Sequence, residues 1–431
     1  MQTLSPRYLS GSPDKNALND AFVGKPITSL RTPAFVIDRT IFAANCARMH
    51  KNVTSWDADF RAHIKTHKTV EGTKLQLISG GGRTHSIIVS TLMEAWRIVD
   101  GGLVVDGVVK DILYGLPISI NKLDDLSALW DEVSPLGAVI RIIIDHPDQV
   151  QLLNEYEKAQ PSPRRWSVFV KIDAGYHRAG LSPKHQVFQD LLRVVLASPA
   201  ISIFGFYCHA GQSYASTSLD EASQFLSVEL QAVNDAAEIA TSVIAQTNAV
   251  PWHNTPFVLS VGSTPTAHAA TPETKAKLHS SLHGKLEIHA GNYAMLDLQQ
   301  IHTGLVDPSR VAQKVLATVI SYYPGRGADG TDEALCDAGG ISMSKDTGPI
   351  KGYGWVNGGS WFLKNTSQEH GTLAKTSGSD AGSIKIGDKV EILGQHACMI
   401  AAAHPWYYIV DSGTAEGADR VVDVWVPCKG W

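Results

Sequence analysis

The chain has 431 residues, enough for roughly two to four domains, and its 44% hydrophobic and 18% charged content is that of an ordinary globular protein. A net charge of −5 gives no general attraction to nucleic acid or anionic membrane, and no stretch reaches the ~18 apolar residues of a spanning helix. Five scattered cysteines (Cys46, Cys208, Cys336, Cys398 and Cys428) argue against a disulfide framework and for a reducing compartment. The opening residues hold no apolar core that would make a signal peptide or anchor. A cytoplasmic protein with neither nucleic-acid nor membrane partner is expected.

In chain order, "AFVID" (34–38) reads as a strand that joins a later domain, and a helix pattern follows over 40–50. Next comes "RAHIKTHKT" (61–69), where a strand would put Arg61, His63 and Lys65 on one face. Two readings compete. Lysines blunt solvated edge strands, or one lysine is buried in a barrel as a covalent anchor. From 60 to 291 short β-like runs alternate with amphipathic helices. The strands are "FRAHIKT" (60–66), "IIVST" (87–91), "DILYG" (111–115), "VIRIIID" (139–145), "VFVKID" (168–173), "IFGFYCHA" (203–210), "FVLSVG" (257–262) and "LEIHAG" (286–291). Eight such units point to an α/β fold, a (β/α)₈ TIM-type barrel over 40–303. The glycine fingerprint of an open nucleotide-binding sheet is missing after the first strand, and "SGGGR" (79–83) reads as a loop. After about 303 the β-like runs and glycine turns predict an antiparallel β domain, made of 1–39 plus 304–431. Within it "GTLAKTSGSDAGSIKIGD" (371–388) reads as a loop and "KVEILGQHACMIAAA" (389–403) as β-like.

Chemistry in such a barrel sits at the C-terminal strand ends. There stand Lys65 to Lys68, "DAGYHRAG" with Arg178, "YCHAGQSY" with Tyr207, His209 and Tyr214, then "VGSTPT" and "HAGNY". The last two supply the small residues, hydroxyls and N–H groups of a phosphate site. A lysine and a phosphate site in one barrel suggest pyridoxal 5′-phosphate, with Arg61, His63 and Arg178 as cations that lower the lysine pKa. In "GQHAC", His396 and Cys398 stand two apart, so a strand would point both to one face. Imidazole with thiolate favours zinc, although a cysteine is commonly just a buried apolar residue.

Together "RAHIKTHKT", "VKIDAGYHRAG", "YCHAGQSY", "SVGSTPT", "EIHAGNY", "DAGGISMSKD" and "GQHAC" resemble the eukaryotic D-serine dehydratases. That family belongs to the alanine-racemase-like class of pyridoxal phosphate enzymes and is related to the D-threonine aldolases. The likeness runs from about residue 32 to the end. It implies that Lys65 is the Schiff-base lysine, with Lys68 at the surface or behind it. It implies Tyr207 and Tyr214 at the cofactor, and Ser263, Thr264, Gly291 and Asn292 on its phosphate. It places His209 against the ring and Arg178 beside the lysine, where an ordinary hydrogen-bonded barrel residue is an equal reading. It makes His396 and Cys398 ligands of Zn²⁺, with Gln395 standing where the family has asparagine. The implied reaction is β-elimination of D-serine to pyruvate and ammonia in a homodimer. Zinc would hold the leaving hydroxyl and Lys65 would take the α-proton. Dehydration or aldol cleavage of another D-3-hydroxyamino acid, such as D-threonine or hydroxyaspartate, is the neighbouring alternative, and a non-catalytic pyridoxal phosphate carrier the more distant one.

Overall fold

The computed structural model describes residues 11–247, 256–277, 282–327, 330–378 and 384–431. All eight predicted barrel strands are present. In chain order after β1 (Ala34–Asp38) they are β2 (Asp59–His63), β3 (Ser86–Val89), β4 (Asp111–Pro117), β5 (Val139–Ile144), β6 (Trp166–Ile172), β7 (Ile201–Cys208), β8 (Phe257–Val261) and β9 (Gly284–Ala290). They close in the order β8-β9-β2-β3-β4-β5-β6-β7, and every pair is parallel. The crossover helices turn apolar stripes inward. Gln186–Ala197 buries Phe188, Leu191, Leu192, Val195 and Leu196, the three-and-four spacing of an amphipathic helix. Caps fix where helices start: Asp38 accepts from Thr40 and Ile41 N–H to open Arg39–Ser55, and Thr91 accepts from Glu94 N–H to open Leu92–Asp100. Such a cap contributes about 1 kcal/mol.

Alternation along β2 has two consequences. Phe60, Ala62 and Ile64 join the core between barrel and helices. Arg61 and His63 point into the barrel, over an inner layer of Ile88, Leu113, Ile143, Phe169, Tyr207 and Val258. Arg61 is not a free cation beside Lys65. Its guanidinium is 1% exposed, 2.6 Å from Asp111 and 2.9 Å from Glu287, so its charge is spent inside the barrel floor.

The second sheet has nine strands. Besides β1 it contains β10 (Gln313–Tyr323), β11 (Glu333–Cys336), β12 (Gly354–Val356), β13 (Trp361–Thr366), β14 (Gly371–Lys375), β15 (Lys389–Gly394), β16 (Tyr407–Val410) and β17 (Asp423–Trp425). Their order is β11-β14-β13-β12-β15-β10-β1-β16-β17, and β10 also pairs β11, closing six strands into a ring. All pairs are antiparallel except β1 with β16. "AFVID" therefore does join this sheet, as the sequence predicts. One hydrophobic core runs from barrel residues such as Phe42 and Ile64 to Val315, Tyr407 and Trp425 of the β unit.

Three local expectations need correction. "SGGGR" is a tight hairpin, Ile78–Ser79 with Gly82–Arg83, turned by Gly80 and Gly81 at φ +57° and +81°. The 371–388 segment opens with the paired strand β14, while 379–383 lie outside the described residues. "KVEILGQHACMIAAA" is a strand only to Gly394, and Ala397–Ala403 is a helix. His396 thus caps a helix, and Cys398 sits in its first turn rather than on a strand. The five cysteines are free thiols, four of them buried. No helix among the described residues is long and apolar enough to cross a membrane.

Candidate active site

At the C-terminal ends of the strands the barrel opens into a cavity of about 500 Å³, within the range of small-molecule sites. Lys65 stands two residues past β2, half-buried, with no hydrogen bond or ion pair to the described residues. Lys68 takes a left-handed conformation (φ +56°) that turns its side chain away to Glu94, at 2.8 Å. His63, on β2 below Lys65, leaves Nδ1 without a partner. Burial, reinforced by Lys65, holds it neutral.

The opposite wall carries a lysine that the sequence reading passed over. Lys171 lies on β6, four strands from β2 in the closed order, and is 7% exposed. Its amine sits 4.3 Å from the centroid of the Tyr207 ring, and burial, with Arg178 nearby, pulls its pKa down to about 8. Tyr207 stacks on His289 at 4.1 Å and 10°. His289 is anchored through Nδ1 to Ser260 Oγ (3.0 Å), which donates to Glu287 (2.7 Å), while its Nε2 is buried without a partner. His209 donates Nδ1–H to the Gly262 carbonyl at 2.7 Å. Burial first, then Lys171 and Lys65, keep it neutral, so its Nε2 is an acceptor. Gly262 is obligatory, because at φ +147° a Cβ would stand 2.0 Å from the His289 carbonyl.

Ser263 caps the short helix Thr264–Ala269 and meets Ser213 Oγ at 2.7 Å. Ser263 and Thr264 line the cavity next to Gly291 and Asn292. A Cβ on Gly291 would approach His63 Cβ to 3.3 Å and Lys65 Cε to 3.6 Å, which shows how closely the β9 end passes the lysine. Asn292 gives its side-chain N–H to Asp297 at 2.5 Å and leaves Oδ1 buried without a partner. Tyr214, in the turn Gly211–Ala215, lines the same cavity, and burial followed by the nearby Cys398 raises its pKa. Arg178 is exposed at the rim, its guanidinium 5.2 Å from the Tyr176 ring.

His396 and Cys398 come from the β unit to this mouth. Cys398 Sγ is 3.2 Å from Thr66 Oγ1, one residue from Lys65. His396 Nδ1 is 2.6 Å from Asp346 and the ring hydrogen-bonds Cys398. Burial alone would lower the imidazole pKa, but Cys398, Asp297 and Asp346 raise it to about 9. Burial alone would raise the thiol, but His396 and Lys65 bring it down. His396 and Cys398 thus shift each other toward their charged forms, and Asp346 holds the Nδ1 side of the ring. Among the described residues no group of three or more His, Cys, Asp or Glu side chains is arranged around one metal position. Gln395 donates to the carbonyls of Ile350 (2.8 Å) and Gly352 (2.7 Å), fixing the approach to the pair.

The alanine racemase N-terminal domain family matches residues 37–266, and the putative serine dehydratase domain family matches 312–410. The chain is 44% identical to the D-serine dehydratase of Schizosaccharomyces pombe over 97% of its own length and 96% of that protein. It is 34% identical to the D-serine dehydratase of Saccharomyces cerevisiae, covering 95% of this chain and 98% of the other. A metal-free mutant of D-threo-3-hydroxyaspartate dehydratase superposes with a TM-score of 0.78 at 28% identity, over 94% of this chain and 100% of that one.

Proposed function

Because the chain belongs to the D-serine dehydratase family of alanine-racemase-like enzymes, we propose that it is a carbon–nitrogen lyase converting D-serine to pyruvate and ammonia with pyridoxal 5′-phosphate and zinc. One observation carries the reading. The cavity is lined by Lys65, Lys171, Arg178 and three histidines, and by no Asp or Glu. A cationic mouth in which Lys171 is buried and Lys65 half-buried, with no acid in the lining, suits an anionic ligand. The donor set fits the cofactor: a free amine at Lys65, hydroxyls and N–H groups at Ser263, Thr264, Gly291 and Asn292, and aromatic walls at Tyr207, His209 and Tyr214. When bound, the cofactor supplies an electron sink for the α-carbon.

This chain's own residues do the rest. Lys65 anchors the cofactor and then moves the substrate's α-proton on its Nζ. Ser263, Thr264, Gly291 and Asn292 hold the phosphate. Tyr207, stacked on His289, closes the cavity floor to water. Arg178, at the rim, meets the substrate carboxylate. His396 and Cys398 would hold zinc, which there supplies a Lewis acid for a hydroxyl oxygen. The Thr66–Cys398 contact supports this, since it puts the pair against the Lys65 turn. The cofactor unit is taken as 40–303, the metal unit as 1–39 plus 304–431, and the enzyme as a cytoplasmic homodimer. A monomeric mass in light scattering with full activity removes that last element.

A second reading, dehydration of a hydroxyamino acid with two carboxylates, draws on Lys171, a second buried cation in a cavity that no Asp or Glu lines. Pyruvate release from D-serine, against L-serine and D-threonine, tests the first reading. Oxaloacetate from D-threo-3-hydroxyaspartate at a higher kcat/KM would favour the second.

A further inference from the structure

A single buried carboxylate joins the two halves of the site. Asp297 is fully buried just beyond β9. Its Oδ2 accepts the Asn292 side-chain N–H at 2.5 Å and the Ala397 backbone N–H at 2.8 Å. Its Oδ1 accepts Gln300 N–H at 3.1 Å. Asn292 belongs to the loop assigned to the cofactor phosphate, and Ala397 is the residue between His396 and Cys398. A second bond runs parallel, from Gln299 N–H to the Gln395 carbonyl at 3.3 Å.

We propose that Asp297 is a positioning residue that couples the metal and cofactor sites, so that each ligand tightens the binding of the other. The inference rests on the functional reading above. One oxygen holds donors from both loops, and charge-assisted bonds of this kind are short and directional. When a metal fixes the 396–398 turn, Ala397 N–H is held on Oδ2. Oδ2 in turn sets the Asn292 amide and the path of the 291–293 backbone. Cofactor phosphate on that backbone fixes the same oxygen from the other side. Linkage is reciprocal: the factor by which zinc tightens cofactor equals the factor by which cofactor tightens zinc. A coupling of about tenfold is expected, within the usual range for two sites.

The test is a binding cycle on the full chain. Pyridoxal phosphate is titrated by absorbance with and without saturating zinc. Zinc is titrated against a competing chelator with and without cofactor. The wild type should show about a tenfold lower Kd for each ligand in the presence of the other. Asp297→Ala removes the oxygen that accepts from Asn292 and Ala397 and should bind each ligand alone with the coupling factor reduced to about one. Asn292→Ala, which leaves Asp297 bonded to Ala397 and Gln300, should lose the coupling in the same way and serves if Asp297→Ala does not fold. A purely structural Asp297 would weaken both affinities and leave the ratio unchanged, which overturns the proposal. So does a wild type that binds both ligands independently. A wild type that takes up no cofactor overturns the functional reading, and this inference with it.

Discussion

The floor and the mouth of the barrel are lined with cations and differ in what surrounds them. On the floor Arg61 meets Asp111 and Glu287, and Arg141 shares Asp111 at 2.7 Å. Two guanidiniums face two carboxylates, and Arg141 also lies over the Phe204 ring. At the mouth Lys65, Lys171 and Arg178 stand among neutral histidines with no acid in the lining. Arg61, Arg141 and Lys171 stand on barrel strands, whereas Lys65 and Arg178 stand in the turns beyond them. A compensated layer is architecture. One whose lining holds no acid is a place left for an anion.

Five substitutions would break or sharpen this contrast. Lys65→Ala should abolish turnover and the visible absorbance of bound cofactor while leaving the urea midpoint nearly unmoved. His396→Ala and Cys398→Ala should each cut turnover by ~10³-fold, about 4 kcal/mol of transition-state stabilisation, with the absorbance retained at saturating cofactor. Full D-serine turnover in either variant would end the metal assignment. Arg61→Met should cost about 3 kcal/mol or more, because it strands Glu287 beside a half-used Asp111. Denaturant melts check this, and no comparable loss should follow from neutralising a mouth cation.

Lys171→Met gives the opposite sign. The amine's folded pKa of about 8 lies below its unfolded value of 10.5, so its burial opposes folding by about 3 kcal/mol below pH ~8. That penalty fades as pH rises from about 8 to 10.5. The apo-form of Lys171→Met should therefore be more stable than wild type at pH 7 and no more stable near pH 11. Equal melts at both pH values would show that Lys171 is not desolvated. With cofactor present, the variant should bind it about tenfold more weakly, the loss of one charge-assisted contact.

Much of this was legible in the residues. The eight strands announced themselves as short apolar runs between amphipathic helices, and Lys65 by its place at a strand end. Lys171 and His289 carried a quieter signal, a basic side chain near the end of a mostly apolar strand ("VFVKID", "LEIHAG"), which reads as a defect until the barrel closes around it. The 396–403 stretch misled because an i, i+2 pair looks alike on a strand and at a helix start. Its run of alanines, the strongest helix formers, was the better guide. Asp346 ends the motif "DAGGISMSKD", but nothing in spacing places it 50 residues up the chain against His396. Asp297 was equally silent, since its role exists only where two loops meet.

The most direct test of the central claim is to load the wild type with pyridoxal phosphate, reduce with borohydride and map the labelled peptide by mass spectrometry. The two mouth lysines face each other across the cavity, so the chemistry must choose between them. The account predicts a pyridoxyl group on Lys65 alone, at one per chain. A label on Lys171 or Lys68, or a protein that remains unlabelled, would contradict it.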